Sequence, residues 1–203
     1  MYVRDAKNRE EVWLLDHIEA MGLDEQAFRS RDYVIAIDEE SDEKAGFGRI
    51  RIHQRPEEAD VCELTSVGVL DGWRNQGVGA HVVERLIEYA GDESFEEVYT
   101  LAPIPDYFAQ FGFEPVDDET IPEKLQGRLA EKRDQHDDPV VPMRIVVEEF
   151  RMPERLRERF KRASGDHGPR EPGTADPGET AAEEFGIDPD QATYKYDTEG
   201  RRR

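Results

Sequence analysis

The stretch Glu63-Leu64-Thr65-Ser66-Val67-Gly68-Val69-Leu70-Asp71-Gly72-Trp73-Arg74-Asn75-Gln76-Gly77-Val78-Gly79-Ala80-His81 carries the densest chemical signal in the chain. An apolar run ends in a polar turn, and two glycines one residue apart, Gly77 and Gly79, open a segment with an apolar stripe. Glycines at such a place let a backbone approach a ligand closely and aim successive N–H groups at it. The first turn of a following helix adds unpaired donors and the positive end of its dipole. The pattern suits a phosphate or diphosphate gripped mainly by backbone.

Two glycine-rich fingerprints fail here. The dinucleotide pattern needs a third glycine three residues after Gly79, where Val82 stands, and the phosphate loop needs Gly-Lys-Ser/Thr, where Gly79-Ala80-His81 stands. What remains is Arg/Gln-x-x-Gly-x-Gly/Ala, met by Arg74, Gly77 and Gly79 after a valine-rich strand and before an amphipathic helix. In this the chain resembles the GNAT superfamily of acyl-CoA-dependent N-acetyltransferases. The segment Tyr107-Phe108-Ala109-Gln110-Phe111-Gly112-Phe113 is similar to that superfamily's helix-to-strand element ending in Gly-Phe. Ile121-Pro122-Glu123-Lys124-Leu125 and Val141-Pro142-Met143-Arg144 resemble the branch of N-acetylglutamate synthase-like amino-acid acetyltransferases.

The resemblance covers about residues 1–150 and implies an α/β fold, a mixed central sheet flanked by helices whose parallel strands partly splay, with acetyl-CoA in the gap. It implies a pantetheine arm hydrogen-bonded like an added strand to the backbone of Val67, Gly68 and Val69. Around the pyrophosphate it places Arg74, Asn75, Gln76, Gly77, Val78, Gly79 and Ala80. Acetyl-CoA is the acyl-donor cosubstrate, no metal is called for, and the acceptor is a small-molecule amine or an amino acid. A homodimer is left open, as is a non-catalytic acyl-CoA-binding regulatory module.

Acetyl transfer to an amine needs a base for the ammonium proton and a proton for the departing thiolate. Glu63, eleven residues before Arg74, matches the base glutamate of histone-acetylating members, and burial on its strand is expected to raise its pKa. The superfamily's acid tyrosine, four residues before the glycine of the Gly-Phe pair, is replaced here by Phe108. Tyr107 is the nearest hydroxyl, and by helix register its ring is expected to point elsewhere. Cys62 alternates away from Glu63 and reads as packing. His17, His53, His81, His136 and His167 lack metal-site spacing, and His81 starts the helix beside the turn. Arg49 and Arg51 read as surface ion pairs or as carboxylate contacts for a substrate.

These residues need elements to hold them. Residues 9–23 read as an amphipathic helix, 33–37 and 45–53 as a hairpin, and 61–70 as a central strand with Val61, Val67 and Val69 on one face, Leu64 and Leu70 on the other. A helix is expected over 77–90, ended by Gly91-Asp92, followed by a strand at 98–101 and a short helix at 105–111. A helix over 121–132 and a strand over 140–150 complete the domain assigned to 1–150. Residues 151–203 read as a charged helix with a solvated face, a Gly/Pro-rich linker at 164–180 and a tail, together a partly flexible extension.

The 203 residues hold 48 acids and 27 bases, a net charge of −21, which disfavours nucleic acid and anionic lipid as partners. Of that charge −20 belongs to residues 1–150. With 21 Arg and 6 Lys among the bases, the balance fits a haloadapted cytoplasm, where molar salt screens repulsion within about 3 Å. One cysteine leaves no internal disulfide, and neither a signal peptide nor a run of about 20 apolar residues is seen, so a cytoplasmic protein is expected.

Overall fold

The computed structural model describes residues 1–135 and 139–165. Seven strands form one sheet: β1 (Tyr2–Asp5), β2 (Tyr33–Ile37), β3 (Lys44–His53), β4 (Val61–Val69), β5 (Glu97–Ala102), β6 (Glu114–Pro115) and β7 (Val141–Val146). Their order across the sheet is β1-β2-β3-β4-β5-β7-β6. Every neighbouring pair is antiparallel except β4 and β5, which run parallel and meet in a single register pair, Glu63 with Tyr99. The central strands therefore splay, as the resemblance implies. β1 and the two-residue β6 are too short to carry a readable alternation.

Among the described residues five helices cover the sheet: α1 (Glu11–Ala20), α2 (Val78–Asp92), α3 (Pro105–Ala109), α4 (Glu123–Gln135) and α5 (Glu154–Lys161). On one face α2 lays Val78, Val82, Val83, Leu86, Ile87 and Ala90 against the sheet. Each such side chain taken out of water contributes roughly 1.5–3 kcal/mol, less for Ala. Gly91 and Asp92 do not end this helix as expected; it runs through Asp92, where Glu93 closes it with its N–H on the Tyr89 carbonyl. On the opposite face α1 packs Leu14 and Ile18 onto Tyr33, Ile35, Ile37 and Phe47. Beside it α4 packs Leu125 and Leu129 onto Val61 and Leu101. The strand expected over 140–150 is shorter, because Val147–Glu149 turn into a 3₁₀ helix.

The face assignment along β4 needs correction. The register slips by one residue between Phe47–Gly68 and Arg49–Thr65, and Ser66 stands in the left-handed region at φ 52°. One extra residue in a strand reverses the faces beyond it. Val67 and Val69 therefore join Cys62 and Leu64 in the core under α2, while Val61 packs under α4. The Ser66 hydroxyl donates to the Asp24 carbonyl at 2.8 Å, holding the bulge to the loop after α1.

Candidate active site

The structure places the glycine turn at the mouth of the splay. β4 leads into a 3₁₀ turn, Asp71–Trp73, and Gly77 caps α2 in the left-handed region at φ 76°. Beyond Glu63–Tyr99 the β5-facing edge of β4 has no ladder partner, which leaves Val67, Gly68 and Val69 an open edge in the sheet. The backbone N–H groups of Asn75, Gln76, Gly77, Val78, Gly79 and Ala80 donate to no acceptor among the described residues. Six consecutive free donors at a helix start match the demand of a diphosphate. Two glycines keep the approach narrow. A β-carbon on Gly68 would stand 2.7 Å from Met21 Sδ, and one on Gly79 2.8 Å from the Tyr107 hydroxyl.

That contact also locates Tyr107. Its ring turns toward the first turn of α2 and Val69, so its hydroxyl sits at the loop. Phe108 instead packs edge-on against Phe113. Arg74 pairs with Asp71 at 3.1 Å, and its buried Nε has no hydrogen-bond partner among the described residues. His81 donates from Nδ1 to the Gly77 carbonyl at 3.0 Å and stacks on Phe160 at 3.8 Å; burial lowers its pKa.

Glu63 lies on the other face of β4, fully buried, inside a charged cluster. Arg128 grips it with two donors, Nε to Oε2 at 2.8 Å and Nη2 to Oε1 at 3.1 Å. His53 Nε2 stands 2.8 Å from Oε2. Burial does push the Glu63 pKa up, as expected, but the His53 hydrogen bond and the charges of Lys132 and Arg128 reverse the outcome and hold it at about 2. The expected rise is therefore overturned by the partners. Since the carboxylate stays ionised, it accepts, and the His53 Nε2–H donates.

Arg128 also reaches Asp24, whose carboxyl burial would raise and Arg128 lowers, with a net fall. Lys132 Nζ makes long contacts to the Thr65 hydroxyl at 3.4 Å and the Leu101 carbonyl at 3.5 Å; desolvation lowers its pKa. Arg49 is not a surface residue. It is 1 % exposed, donates to the Gln26 and Ala27 carbonyls, and lies over the Tyr33 ring at 5.5 Å. Arg51 pairs with Asp24 at 3.4 Å. Four cationic side chains, Arg49, Arg51, Arg128 and Lys132, thus gather around two carboxylates, Asp24 and Glu63. A groove of about 340 Å³ borders the cluster along the edge of β3, with Arg29, Arg51, His53 and Lys124 in its walls.

Arg128, Lys132 and Asp24 are not singled out in the sequence, and His53 is weighed there only as a metal ligand. The available signal was on α4, where Arg128 and Lys132 interrupt the apolar face begun by Leu125 and Leu129. Cys62 is buried under α2, its thiol pushed up to about 12 by burial and by Glu63, which agrees with a packing role. Among the described residues no group of three His, Cys, Asp or Glu could hold a metal ion, and no helix is long and apolar enough to cross a membrane.

The mixed, splayed sheet flanked by helices is a mixed α/β fold, and residues 2–113 match the acetyltransferase (GNAT) family. The chain belongs to that family. It is 29% identical over 65 residues to an uncharacterised N-acetyltransferase of Chlorobaculum tepidum, a match spanning 32% of this chain and 42% of that relative. N-acetylglutamate synthase from Neisseria gonorrhoeae, solved with coenzyme A and N-acetyl-glutamate, is similar at TM-score 0.55 and 17% identity over 71% of this chain and 34% of that one. Rv2747 from Mycobacterium tuberculosis, in complex with CoA and NLQ, is similar at TM-score 0.57 and 16% identity over 72% and 99%. The chain thus spans less than half of the curated relative and about a third of the gonococcal synthase.

Proposed function

We propose that the chain transfers an acetyl group from acetyl-CoA to the amine of a small molecule, with a carboxylate-bearing amino acid as the acceptor class. The observation that carries this reading is the row of six free N–H groups opening beside the unpaired edge of β4. Acetyl-CoA supplies the activated acyl group. The backbone of Val67, Gly68 and Val69 would align its pantetheine, and the turn from Arg74 to Ala80 would hold its pyrophosphate.

Deprotonation of the acceptor falls to the Glu63–His53 pair. A carboxylate held at about 2 is a weak base toward an ammonium, so Glu63 positions His53. With Nε2 engaged by Glu63, Nδ1 is the ring nitrogen of His53 left to take the proton, directly or through water. Tyr107 is the hydroxyl that reaches the loop and would protonate the leaving thiolate. The surplus of cations around Asp24 and Glu63 would meet the acceptor's carboxylate. This is in keeping with the N-acetylglutamate synthase-like branch and with a haloadapted cytoplasm as the working solvent.

One observation favours a second reading. Glu63 is tied to Arg128 on both oxygens, an arrangement equally suited to a non-catalytic acyl-CoA-binding module. Thiol release from acetyl-CoA in molar potassium chloride, with glutamate, aspartate, other amino acids and polyamines as acceptors, separates the two. Turnover lost in Glu63→Gln supports the enzyme, and tight coenzyme A binding without turnover on any amine supports the module.

A further inference from the structure

Gln76, Gly77, Val78, Gly79 and Ala80 are all buried although their N–H groups meet no acceptor among the described residues. What covers the N-terminal end of this turn is α5. A β-carbon on Gly77 would collide with the Leu156 carbonyl oxygen and lie 3.3 Å from the Phe160 nitrogen. Leu156 and Phe160, one turn apart, are buried in the core that α2 shares with the sheet, and Phe160 stacks on His81. The solvated face expected for residues 151–162 holds only for the rest of this helix. Past α5 the Ser164 N–H donates to Gln76 Oε1 at 3.0 Å, and Gly165 rests against Trp73. Arg155 reaches Gln110 just past α3 at 2.8 Å, and Arg157 pairs with Glu84 on α2 at 2.6 Å. The segment thus runs from the end of α3 across to the start of α2.

We propose that α5 with the residues to Gly165 is a strap lying across the donor loop, and that coenzyme A binds only after the strap swings away. The proposal rests on the donor reading above and adds its regulation. A carbonyl oxygen is a partial negative charge, and at Gly77 it stands where a diphosphate would come to meet the loop. The strap is built for release. Its helix has eight residues, too few to persist in water by itself. Its buried anchors are Leu156 and Phe160, with Ala163 packed partly buried beside them, and its further ties include the Arg157–Glu84 ion pair and the Ser164 hydrogen bond to Gln76. Closure lowers the apparent affinity for coenzyme A by the fraction of molecules that are open. Whatever captures the strap, whether a partner or a change in salt, would switch the donor site on.

The test uses the full chain. Hydrogen exchange of residues 154–161 is followed with and without coenzyme A, and coenzyme A affinity is measured by calorimetry for the wild type, Arg157→Glu and Phe160→Ala. The surface variant Arg157→Glu guards against misfolding of the core variant. Faster exchange in α5 on adding coenzyme A, with affinity raised about tenfold in the variants, is expected. Slower or unchanged exchange with unchanged or weaker affinity overturns the strap and leaves the donor reading intact. If none of the three folded proteins binds coenzyme A, the donor reading falls and the strap falls with it.

Discussion

Arg128 and Glu63, 65 residues apart in the chain, face each other as a two-pronged pair in which both carboxylate oxygens are held, and neither side chain is as much as a tenth exposed. A guanidinium fork fits a carboxylate in this way where an ammonium cannot. α4 is thereby fixed to the middle of β4, and Glu63 is kept ionised well below the usual carboxylate range.

Removal of the fork strands Glu63 and Asp24. Arg128→Met is expected to cost about 3–5 kcal/mol, because two carboxylates lose their main partner inside the protein. Arg128→Lys restores the charge without the geometry and should recover only part. Chemical denaturation of the three proteins checks this, and a loss below 1 kcal/mol in Arg128→Met would contradict the described cluster.

Acid should undo the same cluster. Glu63 has a folded pKa of about 2 against an ordinary 4.5, and Glu10, held chiefly by its hydrogen bond with Arg4, shows a similar depression. A lowered folded pKa means that the unfolded chain binds more protons in acid, so this stabilisation is full above about pH 5 and drains away as pH falls toward 2. Unfolding free energy measured from pH 6 downward should fall along that window. In Glu63→Gln the fall should be shallower; an identical slope would refute the assignment.

Gly77 combines a left-handed backbone with a backbone carbonyl, that of Leu156, packed close against it. Gly77→Ala meets a strained φ and the Leu156 carbonyl, and a loss of about 1–3 kcal/mol is expected. The exchange of α5 amides should rise in the same variant. Gly127, which has open space about its α-carbon, serves as the control position.

Tyr107→Phe separates acid catalysis from binding. If the hydroxyl at Gly79 protonates the leaving thiolate, kcat for acetyl transfer falls by roughly 10²-fold while KM for acetyl-CoA holds. An unchanged kcat would return Tyr107 to a cleft-lining ring.

Charge at the scale of the chain gives a further check. With −20 carried by residues 1–150, the thermal midpoint should climb from low to molar potassium chloride as repulsion is screened. Coenzyme A affinity should climb as well. A steady fall of affinity over that range would remove the haloadapted reading.

Local pattern made much of this molecule legible. The hairpin of β2 and β3, the stripe of α2 and the glycine turn announce themselves within windows of a dozen residues, and the structure keeps them within a residue or two. The bulge at Ser66 escaped because its left-handed backbone is secured by the Asp24 carbonyl, 42 residues away. The charged cluster escaped for a similar reason. Asp24, His53, Glu63, Arg128 and Lys132 come from four separated segments, and a lone glutamate on an apolar strand does not reveal the sign of its surroundings. α5 was visible as a helix, but its charges drew the reading toward solvent, while Leu156 and Phe160 carried its destination.

The single pairing of Glu63 with Tyr99 also bears on how the chain assembles. β1 to β4 form a meander whose last three strands are joined by short loops, so that half can organise from contacts close in sequence. β5, β7 and β6 need the long return through α4 before their ladder closes. Two antiparallel half-sheets then meet along a seam with almost no ladder of its own, held shut by α2 on one side and by Arg128 on the other. With a single register pair across it, the seam is expected to form last and open first, and the cleft that the donor would enter lies along that same line.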